Sequence, residues 1–128
     1  MYTKINGETY EVSTKLGVAY ELEKMFNKKI SEIASGINDF DIKNTLRVFY
    51  VGFKKTNPEV TEKAFEEMFL EGEDIGFVDL KKEVIIFLTL MMSKNKTEEK
   101  VREELEEKFN ASVEKAEADA EAEKELKN

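Results

Sequence analysis

The sequence predicts an α+β fold, mostly α: an N-terminal β-hairpin packed on a bundle of about five helices, with an acidic C-terminal helical tail. Three observations predict it. The chain opens on two short alternating segments around Asn6-Gly7, and apolar residues then recur at helical spacing as far as Met92. Residues 97–128 hold 12 acidic and 6 basic side chains, against 16 and 14 in the first 96. The domain reading is therefore a hairpin-plus-helix body over 1–96 and an acidic, partly helical or disordered extension over 97–128.

Asn-Gly is the residue pair that a two-residue type I′ turn demands, because both central positions need positive φ. In that register Ile5 opposes Glu8, Thr3 opposes Tyr10 and Met1 opposes Val12. Met1, Ile5, Tyr10 and Val12 then share one face, so turn chemistry and side-chain alternation agree. A lone hairpin is marginal in water, and this face must pack on helices or extend another sheet.

Ser13 or Thr14 is placed to cap a first helix to about Phe26, with Val18, Leu22 and Met25 inward. A short helix over Ile30–Ile37 stops near Gly36. Asp39 or Asp41 caps a third helix to about Lys55, with Ile42, Leu46, Phe49 and Phe53 in register. Gly52 costs that helix about 1 kcal/mol relative to alanine, which close approach of another backbone would explain, as would mere tolerance. Thr61 caps a fourth helix in which Ala64, Phe65, Met68 and Phe69 face inward. Glu71-Gly72-Glu73-Asp74 lacks the alternating oxygen ligands of a calcium loop and reads as a turn.

Val84–Met92 is the most apolar stretch, with eight apolar residues of nine. It is too short for a bilayer, which needs roughly 20 residues. Phe77, Leu80, Val84, Phe87, Leu88 and Met91 form one face of a helix of about four turns. Ile86 and Leu90 form a second face, preceded by the polar Asp79 and Glu83. With Ile85, Thr89 and Met92 they make the candidate partner-binding set. A core helix wrapped by its own domain stays open as the alternative. The expected core is Ile5, Tyr10, Val12, Leu22, Leu46, Phe49, Phe53, Phe65, Leu80, Val84, Phe87, Leu88 and Met91. On this reading Leu88→Ala costs about 2–5 kcal/mol, and serine at both Ile86 and Leu90 costs the monomer much less.

In the tail, Val101, Leu105, Phe109 and Val113 recur every four residues, enough for a narrow seam. Beyond Val113 little remains to bury, and a frayed helix or disorder is expected.

Cysteine and histidine are both absent, which removes disulfides, thiol chemistry and the usual general base. No phosphate loop, nucleophile elbow or grouped acid–base set appears, so no enzyme and no cofactor are expected. A net charge of −8 disfavours nucleic acid, whose binding runs on Lys and Arg. No apolar leader follows Met1, so an intracellular protein, with no membrane partner, is expected.

The order of signals resembles the small tail assembly chaperones of long-tailed bacteriophages and prophages of Gram-positive hosts. The matching pieces begin with Tyr2-Thr3, Ile5-Asn6-Gly7, Tyr10, Val12 and Tyr20-Glu21-Leu22-Glu23-Lys24. They continue with Leu46, Phe49-Tyr50-Val51-Gly52-Phe53, Asn57-Pro58-Glu59-Val60-Thr61, the acidic turn and the apolar helix, over residues 2–92. The resemblance implies a cytoplasmic protein of the infected or lysogenic cell that is not in the mature virion. It implies binding to the tape-measure protein, recruitment of tail-tube protein, and a homo-oligomer. The alternative is a small acidic helical adaptor or inhibitor of a host protein.

Overall fold

The computed structural model describes residues 1–110; the expectations for Val113 and beyond lie outside the described residues. Strands β1 (Tyr2–Ile5) and β2 (Glu8–Glu11) pair antiparallel, with Thr3 opposite Tyr10 and Ile5 opposite Glu8 as the turn requires. Asn6 and Gly7 stand at φ 51° and 84°, the positive values of a type I′ turn. Helices α1 (Leu16–Phe26), α2 (Ile30–Gly36), α3 (Ile42–Thr56), α4 (Glu62–Leu70) and α5 (Phe77–Met92) follow, with a 3₁₀ turn at Ile37–Asp39. A sixth helix, α6, runs over residues 98–110.

Two predicted caps form: the side chains of Asp41 and Thr61 accept from the amides of Asn44 and Ala64. The cap of α1 does not. Lys15 stands at that N-cap without a side-chain bond, and the Ser13 hydroxyl accepts instead from the Lys15 amide at 3.4 Å, ahead of the helix. The first turn of α5 is closed by Asp79, whose carboxylate accepts from the Gly76 N–H at 3.0 Å.

The core is aromatic and centred on α3. Phe53 and Phe65 have ring centroids 4.6 Å apart, Phe65 lies 5.1 Å from Phe69, and Phe49 meets Phe87 of α5 at 5.5 Å. Every predicted core residue is buried except Tyr10, which is half-buried with its ring 5.4 Å from Phe53. Tyr10 thus docks the hairpin on α3, and Asn57 adds a hydrogen bond to the Glu11 carbonyl at 2.9 Å. Met25, Ile42 and Ala64, expected inward, are exposed. Met25 and Ile42 lie in the end turns of α1 and α3, where a continuing stripe runs past its neighbours.

Gly52 is explained by contact. A Cβ there would lie 2.5 Å from the Phe87 ring and 2.7 Å from the Ser13 carbonyl oxygen. The close approach involves both a neighbouring backbone and a ring from α5.

On the surface, Lys55 of α3 holds Glu21 of α1 at 2.6 Å, with Lys54 at 3.7 Å. The Lys55 hydrogen bond, aided by the charges of both lysines, keeps the Glu21 carboxyl below its ordinary value of 4.5. A depressed carboxylate stabilises the fold above its unfolded pKa, and the effect is lost as pH falls through the folded value. The pair is solvent-screened, so its effect is small. Thermal melts should show Glu21→Gln slightly less stable than the parent at pH 7 and indistinguishable from it well below pH 4.

Candidate interaction surface

The five residues expected to form one partner-binding face do not lie together. Ile86 and Leu90 are only 3% and 9% exposed, beneath α6, where they pack with Val101 (4% exposed), Leu105 and Met1. Their expected outward exposure is therefore corrected: the second apolar face of α5 is covered by the chain itself. Ile85 is half-buried against the main core, and Thr89 is half-buried with its hydroxyl donating to the Ile85 carbonyl at 2.7 Å. Met92 alone of the five is exposed.

The polar residues before Ile86 explain the misreading. Glu83 does not solvate an open face; it anchors α6. Arg102 donates to it bidentately, Nη1 to Oε2 at 2.6 Å and Nη2 to Oε1 at 3.1 Å. The same guanidinium donates to Glu98 at 3.0 and 3.2 Å and to the Tyr2 carbonyl at 2.8 Å. Thr3, buried on β1, donates to Glu83 at 2.7 Å, and the Tyr2 N–H is shared by both Glu98 oxygens at 3.2 Å. The hydrogen bond to Glu83 is the main cause of the raised Arg102 pKa, against the opposing effect of burial. A forked guanidinium suits this role because its donors have fixed planar geometry.

This network also changes the status of the hairpin edge. Tyr2 would present an unpaired N–H and C=O along β1, the usual template for strand addition. Glu98 and Arg102 satisfy both. Through Val101, Leu105 and Arg102 the first part of the predicted extension is packed on the body.

Leu16, Tyr20 and Met25 are exposed singly on α1, and two apolar clefts stay open beside α5. Leu70, Phe77 and Ile42 line a cleft of about 220 Å³ between the start of α3, the end of α4 and the start of α5. A second cleft, of about 340 Å³, lies between α5 and α6 on Val78, Ile85, Leu105 and Phe109. Lys81 joins the two: it lines the second cleft, and its ammonium sits 4.5 Å from the centroid of the Phe77 ring. The result is an apolar strip from Leu70 to Phe109, interrupted by the Lys81 ammonium. Sequence reading missed it because its residues come from four helices: Ile42, Phe77, Leu105 and Phe109 belong to stripes expected to pack inward or in a seam, and Leu70 and Val78 lie off theirs. The exposed Val78, beside the stripe residue Phe77, was the available signal.

Comparison with family models, curated proteins and solved structures yields no match to this chain. The surface therefore has to be read from its own chemistry. Among the described residues no group of three or more acidic side chains is placed to hold a metal ion. No helix among them is long and apolar enough to cross a membrane.

Proposed function

We propose that the chain is a tail assembly chaperone of a long-tailed bacteriophage or prophage. It binds the long, helical tape-measure protein in the host cytoplasm, keeps the apolar surfaces of that protein from aggregating, and helps recruit tail-tube subunits. Several copies associate along the bound rod, and none stays in the finished virion. The observation that carries this reading is the apolar strip from Leu70 to Phe109 on a chain that is otherwise 38% charged. Exposed apolar patches with a polar rim mark protein-binding sites. A holding protein needs that combination: apolar contact for the client and a charged exterior for solubility. The ordered resemblance over residues 2–92 supplies the identity of the client.

Co-expression with the tape-measure protein of the same genome tests it. The chain should keep the tape-measure protein soluble and be recovered with it on affinity capture. Leu70→Asp with Val78→Asp should lower that recovery at least tenfold, because both side chains are exposed in the strip. Their exposure also predicts a thermal midpoint shifted by no more than a few degrees. A tape-measure protein equally soluble without the chain, or captured equally by the double variant, overturns the reading.

A further inference from the structure

We infer that the cleft between α5 and α6 selects an amphipathic helix of a partner protein whose apolar stripe is flanked by carboxylates. It rests on the chaperone reading for the source of that helix, but its chemistry stands on the cleft itself. The floor is Val78, Ile85, Leu105 and Phe109, an apolar set between two helices of the kind that takes the stripe of a third. Lys81, Lys82 and Lys108 also line it, and among the described residues no carboxylate does. That local composition runs against the whole chain, which has 28 acidic and 20 basic residues.

The disposition of Lys81 and Lys82 strengthens the point. Among the described residues neither forms an ion pair with a carboxylate. Lys81 donates to the Asn38 carbonyl at 2.7 Å beside the Phe77 ring, and the Lys82 ammonium lies 3.6 Å from the centroid of the Phe109 ring. Each ammonium is thus held by a carbonyl or a ring face while its stem lies along apolar surface. A carboxylate is a stronger partner for an ammonium than either. A helix bringing carboxylates to the rim draws both lysines off the rings, which uncovers Phe77 and Phe109 for its own apolar stripe. Phosphate-bearing partners would satisfy the lysines but leave the apolar floor without contact.

Two synthetic 18-residue helices with the same leucine stripe, one flanked by glutamate and one by lysine, are the probes. Fluorescence anisotropy with the full chain should show the glutamate peptide binding at least tenfold tighter, despite the net negative charge of the protein. The preference should shrink as salt is raised. Lys81→Glu with Lys82→Glu should reverse it, with a melt like that of the parent showing that the fold is kept. Equal binding of the two peptides, no binding of the glutamate peptide, or a preference unchanged by charge reversal overturns the inference. So does equally tight binding of a peptide spanning residues 111–128 of this chain, which would make the cleft a site for its own sequence. Glutamate selection without tape-measure capture would remove the chaperone reading alone. Capture without glutamate selection would remove this inference alone.

Discussion

Phe87→Ala is expected to destabilise the protein by about 3–5 kcal/mol, the usual cost of emptying a large aromatic site in a core. Phe87 is fully buried, stacks edge-on against Phe49, and lies against the Cα of Gly52. Its size and the glycine opposite are two halves of one fit. Gly52→Ala should therefore destabilise by about 1–3 kcal/mol as an overpacked contact, although alanine is the better helix former by about 1 kcal/mol. The two changes should couple. Removing the ring relieves one of the two overlaps at Gly52, so the double variant should cost less than the sum. Part of the alanine penalty should survive, because the Ser13 carbonyl still stands 2.7 Å from the new Cβ. Denaturant melts of the four proteins measure the coupling, which for residues in contact is typically about 0.5–3 kcal/mol.

Serine at both Ile86 and Leu90 should be nearly as damaging as Leu88→Ala, reversing the order expected from helical spacing alone. Both side chains are buried under α6, and burying a Leu or Ile side chain contributes about 1.5–3 kcal/mol. The serine hydroxyls would also need partners in a pocket lined by Val101 and Leu105. Equilibrium unfolding should show the double variant destabilised by several kcal/mol. A loss below about 1 kcal/mol would mean that α6 contributes little to the closure of this face.

The hairpin was legible in full because a two-residue turn leaves one register, and that register put Ile5 and Val12 on the same side. The α5 core stripe from Leu80 to Met91 was legible because its spacing is local, and Asp41 and Thr61 were legible because a cap is set within four residues. The role of Glu83 was not. A carboxylate before an apolar residue reads as a solvated face unless its partner is known, and its partner, Arg102, lies 19 residues further on in another helix. Val101 and Leu105 announced a narrow seam; nothing local said that Ile86 and Leu90 were what it covered. The apolar strip was illegible for a related reason. Leu70 and Val78 lie off the stripes of their helices, and with Phe109 of the tail seam they become a surface only when α4, α5 and α6 converge.

Helix α6 closes the second face of α5 within a single chain. The direct test compares the chain ended at Asn110, which keeps α6, with the chain ended at Lys96, which lacks it. Sedimentation across a concentration series, read beside the fluorescence of a dye that binds exposed apolar surface, reports the uncovering of Ile86 and Leu90. The shorter chain should bind the dye strongly, associate at lower concentration and melt several degrees earlier. Equal sedimentation, dye binding and melting of the two chains would contradict it, because α6 would then cover nothing on which the fold depends.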